Sequence, residues 1–466
     1  MNTVDVLIVG AGPSGLLLAN LLAREGISFR LIDENDGAAK ESRALAMQAR
    51  TLELWRNLGI VDRFLAAGRR AAGLQAYLHG KKRITLDLHD MERPDTPYPF
   101  IFMIPQSETE RLLIEDLRKR GFEVERRTTL VDFKQSDDHV AAEILIDKTR
   151  KETVSARYIV GCDGSHSKVR ESLGLAFNGE SYSSEFIMAD AKVHWDLPFD
   201  YVSVFIDTGA VGALFPIKGN NLSRVLSIRR YANSNSTEIP KDTATTSYPA
   251  TLPEVEKAFI QTSHKDVKLT EPIWVTKFHV HHRSVEKAQV GRAFLAGDAS
   301  HIHSPVGGQG MNTGLQDVAN LAWKLSGVLK RKAPESLLKT YHLERWPVGQ
   351  HLLHFTDRIF TIAVSKNRPF VAIRDLVFPI VAKFLMTFGA GKRYMFRFVS
   401  QLNIRYHANE AVQEKITAAA TSIFRETLPS GYRAPNAKIR EGGPLRKMEI
   451  RGAIWRLRRA LVYPRH

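Results

Sequence analysis

The sequence predicts an α/β protein, α+β overall, with a Rossmann-like nucleotide-binding domain, an inserted antiparallel β-sheet and a C-terminal helical region. Three observations lead to this expectation. The first 34 residues read as strand, glycine-rich turn, helix and strand. Residues 187–278 show short apolar strands and turns without intervening helices. Residues 366–398 mix large apolar side chains with Lys and Arg, as helices that cover a domain do.

The glycine-rich turn follows a short apolar run, Val4–Val9, that suits a strand buried on both faces. The turn reads GAGPSG over residues 10–15 and leads into an apolar helix. Gly10 allows the tight turn, Gly12 lets the backbone approach a pyrophosphate, and Gly15 lets the helix pack closely. The helix N-terminus adds free N–H groups and positive potential, so the turn predicts dinucleotide binding. The candidate residues are Gly10, Gly12, Pro13, Ser14 and Gly15.

An acidic pair ends the second strand, Phe29–Ile32, about twenty residues after the glycines. A carboxylate at that place can accept hydrogen bonds from ribose hydroxyls. Glu34 is the favoured residue for this contact. Asp33 is the competing candidate, with a solvated turn residue as its alternative.

Length and composition limit the classes of protein to consider. A chain of 466 residues exceeds the usual size of one core, so two or three domains are expected. The formal charge of +16 would suit nucleic acid, anionic lipid or an acidic substrate. Because no zinc-finger, helix-turn-helix or RNA-recognition signature accompanies the charge, a nucleic-acid partner is not expected.

Cysteine content and hydropathy bear on the compartment. The single cysteine, Cys162, excludes an internal disulfide and suits a reducing environment. Neither a signal peptide nor an uninterrupted apolar stretch of transmembrane length is apparent. We therefore expect a cytoplasmic protein.

Two polar side chains between the first glycine turn and residue 110 are candidate cofactor contacts. Arg43 precedes an amphipathic segment, and its guanidinium can pair with phosphate in a bidentate way. Arg50, in the same segment, is interpreted as a solvated helix charge. Gln106 lies just before a helix, where an ordinary loop amide is the alternative. Ser107 and Glu110 match a capping box.

A third apolar strand ends at Gly161 and is followed by Cys162, Asp163 and Gly164. Asp163 thus repeats the arrangement of an acid between a strand and a helix. Because Asp-Gly pairs are common in plain turns, a structural role is the alternative to cofactor binding. Cys162 reads as a small buried residue rather than a catalytic thiol.

A second glycine-rich cluster occupies residues 291–329. A short strand, Ala293–Ala296, precedes Gly297 and Asp298, and a glycine loop then leads into a helix with an apolar face. A strand, an acid and a glycine loop before a helix predict another anion or polar-ring site. The candidate residues are Gly297, Asp298, Pro305, Gly307, Gly308, Gly310, Met311 and Asn312.

Metal and hydrolase chemistry are disfavoured. His301 and His303 stand two residues apart without a third ligand at fixed spacing. The chain also lacks the GxSxG elbow of hydrolases. We expect no metal site.

The strand-rich region, residues 187–278, contains four aromatic residues that can line an apolar pocket or form ordinary sheet core: Trp195, Phe215, Trp274 and Phe278. Residues 232–251 are polar and read as a loop.

Three motifs together resemble the class A flavoprotein monooxygenases, the para-hydroxybenzoate and phenol hydroxylase superfamily. They are GAGPSG at 10–15, GCDGSHSKVR at 161–170, and GRAFLAGDASHIHSP with GGQGMNTGLQDVANLAWKL at 291–325. The resemblance spans about residues 4–350. Arg43 and Gln106 match a flavin-contacting arginine and a flavin-side glutamine of this family.

The resemblance implies that the cofactor is FAD. It assigns the pyrophosphate to Gly10–Gly15, the adenosine ribose to Glu34, and the ribityl–pyrophosphate side to Asp298. The loop at 306–312 would direct backbone N–H groups toward the pyrimidine edge of the isoalloxazine, where negative charge develops on reduction. Asp163 would serve both FAD and NAD(P)H.

The resemblance also implies a reaction in two halves. NAD(P)H binds transiently and reduces FAD; reduced flavin and O2 then form a hydroperoxide that transfers one oxygen atom to an electron-rich substrate. The implied function is hydroxylation of an aromatic or polyketide-like substrate. Alternatives are a reductase or halogenase of the same fold, or a non-catalytic, membrane-associated flavin-binding protein. No catalytic acid or base, substrate identity or oligomeric state can be assigned.

The expected domains are discontinuous. Residues 1–72, 100–186 and 285–355 form the FAD-binding domain, residues 73–99 and 187–284 the β-sheet substrate domain, and residues 356–466 a basic helical region. Residues 400–412 and 429–439 resemble the segment that precedes a thioredoxin-like domain in larger relatives. We expect that domain to be truncated or absent in this sequence. Residues 366–398 and 445–465 can cover the FAD-binding domain or lie on an anionic membrane.

Overall fold

The computed structural model describes residues 2–39, 44–88, 96–230, 247–303, 307–387 and 389–406. Arg43, Pro305, most of the expected loop at 232–251 and the stretch after residue 406 lie outside these ranges. The expectations about them therefore stay predictions.

The secondary structure within these ranges consists of nineteen strands, ten α-helices and a short 3-10 turn. The strands are β1 (Asn2–Val9), β2 (Phe29–Ile32), β3 (Ala46–Met47), β4 (Arg69–Ala71), β5 (Gly73–Leu78), β6 (Lys81–Asp87), β7 (Ile101–Met103), β8 (Thr128–Gln135), β9 (Val140–Ile146), β10 (Arg150–Gly161), β11 (Asn178–His194), β12 (Tyr201–Asp207), β13 (Ala210–Pro216), β14 (Leu222–Arg230), β15 (Ser247–Tyr248), β16 (Lys268–Ser284), β17 (Gln289–Val290), β18 (Ala293–Leu295) and β19 (His301–Ile302). The helices are α1 (Pro13–Arg24), α2 (Ala49–Leu58), α3 (Val61–Ala67), α4 (Gln106–Lys119), α5 (Lys168–Ser172), α6 (Leu252–Ser263), α7 (Gly310–Leu329), α8 (Ser336–Ala363), α9 (Arg368–Thr387) and α10 (Gly389–Val399).

The first sheet contains a parallel core in the order β2, β1, β10 and β18. Its strands read as continuous apolar runs because helices cover one face and β8, β9 and α5 the other. On the first face, α1, α4 and α7 pack in one large apolar core. Because the strands are parallel, the carboxyl ends of β1, β10 and β18 meet at one edge. That edge carries Gly10, Asp163 and Gly297, which directly follow or nearly follow those three strands.

The second sheet has nine strands, with β16, β11, β14, β13, β12, β5 and β6 in sequence across it. Helix α6 packs on one face. The predicted α/β fold with an added antiparallel sheet is confirmed, with one exception: β5 and β12 pair in parallel. Those two strands come from distant parts of the chain, so no hairpin forces them to be antiparallel.

A three-stranded sheet, β3–β7–β4, lies between the two larger ones and shares apolar contacts with the second sheet. The amphipathic segment after Arg43 is not one helix, since residues 46–47 form β3 and a left-handed Gly59 (φ 75°) separates α2 from α3. The predicted capping box at Ser107 is wrong, since α4 begins at Gln106 with Pro105 as its N-cap. Proline suits that place because its fixed φ and missing N–H cost nothing there.

The helices after residue 335 confirm the expected helical character of the C-terminal region as far as residue 399. Helix α8 runs continuously through residue 355, where a domain boundary was expected. None of the helices in the described ranges is long and apolar enough to cross a membrane.

Candidate functional site

The turn between β1 and α1 is shaped by close backbone contacts. Gly10 has a φ of +95°, and a Cβ there would lie 2.4 Å from the carbonyl oxygen of Cys162. A Cβ on Gly15 would lie 1.9 Å from the carbonyl oxygen of Gly10. A Cβ on Gly12, in contrast, would meet no atom within 4 Å. The chain is thus packed tightly behind the turn and open in front of it.

The N-terminus of α1 faces the same opening. Gly12 is the N-cap and makes no side-chain capping hydrogen bond, and Pro13 occupies the first turn. The first N–H groups of a helix have no intrahelical partner and carry partial positive charge. An anion in front of this turn would be bound by those groups.

The two acids at the end of β2 have different surroundings. Asp33 is buried and accepts hydrogen bonds from the N–H of Ala11 (2.6 Å) and of Asn35 (2.9 Å). Arg126 Nη1 lies 3.4 Å from Oδ1, the oxygen that also accepts from Asn35. Glu34 is exposed. The geometry therefore favours Asp33, the competing candidate, over Glu34 as the acid at the glycine turn.

Ser14 joins the two glycine clusters. A Cβ on Gly297 would lie 3.0 Å from Ser14 Oγ, and one on Gly314 of α7 would lie 2.7 Å from it. Helices α1 and α7 pack side by side in the same core. The structure thus brings together two motifs that are about 280 residues apart in the chain.

The second glycine loop enters α7 through Gly307 (φ +88°) and Gly308 (φ +59°). Helix α7 begins at Gly310 with Gln309 as N-cap, again without a side-chain capping bond. Its first N–H groups therefore form a second donor site. Met311 is partly buried against the main core.

The side chain of Asn312 has a structural role, and the expected role of its backbone N–H stays a prediction. Its Oδ1 accepts from the N–H of Gln48 (2.8 Å) and from Thr51 Oγ1 (2.7 Å), while Nδ2 donates to the carbonyl oxygens of Ala46 (2.8 Å) and Gly308 (3.0 Å). Its side chain is thus fully used in joining α7 to the β3–α2 segment. Sequence reasoning missed Gln48, whose Nε2 also donates to the carbonyl oxygen of Gly307 (3.3 Å).

Asp298 lies on the 3-10 turn Gly297–Ala299 and is exposed, whereas both its neighbours are buried. A buried carboxylate, Asp317, fixes this turn by accepting the N–H of Gly297 at 3.2 Å. The same carboxylate binds His301 Nε2 at 2.8 Å and Arg345 Nε at 2.7 Å. Burial raises the pKa of Asp317, but Arg345 and His301 lower it more, so its net pKa lies below the usual range.

Asp163 lies directly behind the first glycine turn. Its Oδ2 accepts the N–H of Val169 at 3.1 Å, next to the N-terminus of α5. Among the described residues, Oδ1 of Asp163 is buried without a hydrogen-bond partner, and burial raises the pKa of this carboxyl. The neighbouring Cys162 is buried and the pKa of its thiol is raised well above the usual value, mainly by burial. This agrees with a packing role for the thiol.

Gln106 and Glu110 act together on the chain that follows β2. Gln106 Nε2 donates to Glu110 Oε1 at 2.9 Å, and its Oε1 accepts the N–H of Ala44 at 3.5 Å. Glu110 Oε2 accepts the N–H of Ala39 at 3.1 Å. Burial raises the pKa of Glu110. Both side chains thus bind the chain on either side of residues 40–43.

The segment after α10, residues 400–406, packs against the N-terminus of α7, and we call it the strap. Gln401, buried and with a φ of +58°, donates to Thr313 Oγ1 (3.0 Å) and to Gln309 Oε1 (3.4 Å). It also accepts from Gln316 Nε2 at 2.5 Å. No local pattern in the sequence indicated this contact, because the partners are 85 to 92 residues apart.

One face of the second sheet is apolar and continues toward the second glycine loop. Phe215, Trp274 and Phe278 belong to it, together with Phe360 of α8 and Val364 just after it. Phe215 also packs in a cluster with Leu45 and Ala46, and a Cβ on Gly308 would lie 2.7 Å from Ala46 Cβ. Trp195 is on the opposite side, against Phe199, Phe205 and Phe259. Three of the four candidate aromatics therefore share a face, and Trp195 is excluded from it.

That face carries one buried ion pair. Arg224 and Asp190 are 2% and 4% exposed and form two hydrogen bonds of 2.7 and 2.8 Å. Trp274 Nε1 donates to the same carboxylate at 3.0 Å. A paired and hydrogen-bonded charge can remain inside an apolar wall, which an isolated one cannot.

His301 and His303 have ring centroids 6.0 Å apart, and His301 is engaged with Asp317. In the part of the chain that the structure describes, no group of three or more His, Cys, Asp or Glu side chains is arranged to hold a metal ion.

Comparison with known proteins identifies the family. The FAD binding domain family matches residues 3–356. The chain is 36% identical over 389 residues to a 6-methylpretetramide 4-monooxygenase of Streptomyces rimosus, covering 84% of this chain and 67% of that protein. It is 34% identical over 366 residues to the pentachlorophenol 4-monooxygenase of Sphingobium chlorophenolicum, covering 78% of this chain and 65% of that protein.

A solved structure agrees with these relatives. The anhydrotetracycline hydroxylase OxyS of Streptomyces rimosus superimposes with a TM-score of 0.70 at 30% identity, covering 88% of this chain and 78% of that one. The chain thus spans about two thirds to four fifths of the length of these relatives. It belongs to the FAD binding domain family and, within it, to the class A FAD-dependent aromatic monooxygenases.

Proposed function

We propose that the protein is an FAD-dependent monooxygenase that uses NAD(P)H and O2 to hydroxylate a polycyclic aromatic or polyketide-like substrate. The observation that carries the proposal is the contact of Ser14 with Gly297 and Gly314, because it makes two helix N-termini part of one site. Beside that site lies an apolar face of the second sheet, which suits an aromatic substrate. The names of the relatives, which include tetracycline-type and phenol monooxygenases, support the substrate class.

The residues present fit FAD. A pyrophosphate needs N–H donors, positive potential and free space, and the uncapped N-terminus of α1 beside Gly12 offers all three. Gly10, Pro13, Ser14 and Gly15 would shape that turn. Asp33 would accept hydrogen bonds from the ribose hydroxyls, with Glu34 as the alternative.

The rest of the cofactor would lie along the second cluster. Asp298 is exposed beside the first glycine turn and would bind the ribityl side, held in place by Asp317 through the N–H of Gly297. The N–H groups at Gly310, Met311 and Asn312 would stabilise negative charge on the ring, while Gly307 and Gly308 would let the chain turn beneath it. When bound, FAD would accept a hydride from NAD(P)H and activate O2 for transfer of one oxygen atom.

Other candidate residues would act mainly by positioning. Asp163 would brace the first turn, since its carboxyl is buried behind Gly10. Gln106, with Glu110, would orient the chain that leads to Arg43. Arg43 and Pro305 remain proposed cofactor contacts on the basis of the family resemblance. A cytoplasmic location belongs to this proposal.

The test is a measurement of coupled turnover. Purified protein should be yellow, and a panel of phenols and polycyclic aromatics should contain a compound that accelerates NAD(P)H and O2 consumption and is recovered with one added oxygen atom. Protein that is folded but binds no added FAD would overturn the proposal. A reduced product formed without O2 would indicate a reductase, and a halide-dependent product a halogenase.

A further inference from the structure

The outward face of α9 is apolar over most of its length. Ile373, Leu376 and Ile380 are 61%, 68% and 62% exposed. We call the "α9 face" the set of exposed apolar residues Phe370, Ile373, Leu376, Val377, Phe378, Ile380, Val381 and Phe384. This patch is about 20 Å long at the rise of an α-helix. Patches of this kind on a folded chain mark interaction surfaces.

The opposite side of α9 is anchored to the rest of the chain. Val371 is buried, and Arg374 Nη1 donates to the carbonyl oxygen of Ala363 at 2.9 Å. Asp375 Oδ2 binds His79 Nε2 at 2.6 Å, which ties α9 to the turn between β5 and β6. These contacts fix the rotation of α9 about its axis. Because Arg374 and Asp375 make these inward contacts, the apolar residues of the α9 face point outward.

The sequence on either side of and within α9 is predominantly basic. Between residues 354 and 399 the sequence has eight basic residues, Arg358, Lys366, Arg368, Arg374, Lys383, Lys392, Arg393 and Arg397. It has two acids over the same span, Asp357 and Asp375. Asp375 is paired with the buried Arg374, so seven basic residues and one acid remain. A partner that covers this face would thus meet a cationic surround.

The positive charge near the α9 face helps to decide which partner could cover it. A second copy of the chain would pair this cationic face with an identical one, so like charges would meet across the two-fold axis. Residues 445–465 are an equally poor match, because they contain seven basic residues and one acid. An anionic lipid surface matches both the apolar residues and the positive charge. The apolar side chains can insert among the acyl chains, and the headgroups attract Lys and Arg.

We propose that the α9 face is a peripheral docking surface for a bilayer rich in anionic phospholipid. Helix α9 would lie in the plane of the interface, with its apolar side chains inserted and the neighbouring basic residues among the phosphates. Ile359 and Ile362, exposed on the last turns of α8, extend the same surface. Phe360 and Val364 are on the inner side of those turns, packed on the apolar face of the second sheet. The bilayer would thus lie next to the wall that we propose for the substrate.

The test is co-sedimentation of the full-length, FAD-loaded protein with vesicles. One set of vesicles contains equal parts of phosphatidylcholine and phosphatidylglycerol, and the other contains phosphatidylcholine alone. The protein should bind the anionic vesicles, and binding should weaken when salt is raised from about 0.1 M to about 0.5 M. The variant carrying Leu376→Glu and Ile380→Glu should partition at least about tenfold less.

A matched control comes from an exposed isoleucine outside the α9 face. Ile273, in β16, is 65% exposed, so Ile273→Glu makes the same kind of change on the second sheet. Its vesicle binding should equal that of the wild type. Flavin absorbance and melting temperature of all variants report folding independently of vesicle binding.

Three results would overturn the proposal. The wild type could fail to bind anionic vesicles, or the double variant could bind them as well as the wild type does. Thirdly, sedimentation velocity could show that the wild type and Ile273→Glu are dimers and the double variant is a monomer, while none of them binds vesicles. That result would assign the α9 face to a second copy of the chain. Because vesicle binding is measured without turnover, these results do not depend on the outcome of the hydroxylase test.

Discussion

Arg345 of α8 donates Nε to Oδ1 of Asp317 in α7 at 2.7 Å, and both side chains are only 2% exposed. The other oxygen of Asp317 holds His301 and the N–H of Gly297. A buried ion pair is thus connected directly to the turn that carries Asp298. Because a buried ion pair is costly to break, this pair also fixes the position of that turn.

Asp317→Asn should destabilise the protein by about 3–5 kcal/mol, because it leaves Arg345 buried without its counter-charge. The difference from the wild type should be measured by urea unfolding. Asp196→Asn, at an exposed position, is the control and should stay within about 0.5 kcal/mol. Equal unfolding free energies for the two variants would contradict this role of Asp317.

Lowering the pH should reduce the stabilisation that the Asp317 carboxylate provides. Because the folded pKa of Asp317 lies below its unfolded value, the stabilisation is present above the unfolded pKa, about 3.9, and is lost as pH falls through the folded pKa. The stability difference between the wild type and Asp317→Asn should therefore shrink below about pH 4. A difference independent of pH down to acid unfolding would show that the charge is not what stabilises the pair.

His79 should give the opposite dependence on pH. Its pKa is raised, first by the hydrogen bond to Asp375 and also by Asp207, against an opposing effect of burial. Its stabilising contribution is therefore fully present below the unfolded pKa, about 6.5, and is lost as pH rises through the folded pKa. The ring is 43% exposed, so solvent screening limits the effect to less than about 1 kcal/mol.

The variant His79→Asn tests this contribution without adding backbone strain. His79 has a φ of +47°, a conformation that Asn tolerates well. The melting temperature of His79→Asn should fall below that of the wild type at pH 6, and the two should converge at pH 9. A gap of the same size at both values would mean that protonation of His79 has no part in holding α9.

Gly10 and Gly12 should respond differently to the same substitution. A Cβ on Gly10 would lie 2.4 Å from the carbonyl oxygen of Cys162 at a φ of +95°, so Gly10→Ala should lose more than about 3 kcal/mol of stability. A Cβ on Gly12 meets nothing within 4 Å, so Gly12→Ala should fold normally. It should nevertheless bind FAD more weakly, because the added methyl occupies the space in front of α1.

Thermal unfolding and FAD titration together check this pair of variants. If Gly12→Ala binds FAD as tightly as the wild type does, the pyrophosphate does not lie in front of that turn. If Gly10→Ala is as stable as the wild type, the tight packing behind the turn is not required.

The sequence sufficed for the parallel core and the two glycine turns because each has a local signature of strand, glycine and helix. At the acid after β2 the pattern favours Glu34, whereas the structure buries Asp33 beside the glycine turn and exposes Glu34, so the choice between the two stays a prediction. Successive side chains of an extended segment point to opposite sides, so an uncertainty of one residue exchanges the buried Asp33 for the exposed Glu34. The roles of Asp317, Arg345 and Gln401 could not be predicted, because each is defined by partners 16 or more residues away in the sequence.

The acid assignment can be tested by two parallel substitutions. Asp33→Ala should raise the dissociation constant of FAD by about tenfold or more, since it removes a charged hydrogen-bond acceptor at the turn. Glu34→Ala should change it by less than about twofold, because the side chain is exposed. Fluorescence titration of the apoprotein with FAD gives both values. The reverse ranking would restore Glu34 as the ribose acid.

Gln401 should affect FAD binding although it lies outside both glycine motifs. It contacts Gln309, Thr313 and Gln316, and so fixes the first turn of α7, whose N–H groups we propose to face the flavin ring. Gln401→Asn keeps a residue that tolerates the φ of +58° but shortens the side chain, so these contacts are lost without new backbone strain. FAD affinity should fall by about five- to tenfold.

Asn403→Ala is the matched control from the same strap. Asn403 accepts a hydrogen bond from Arg397 at 2.9 Å, within the C-terminal segment itself. It should lower stability slightly and leave FAD affinity unchanged. If both variants weaken FAD binding equally, the strap acts only by general packing. If Gln401→Asn also changes the visible absorption spectrum of the bound flavin and Asn403→Ala does not, the first turn of α7 is the element through which Gln401 acts.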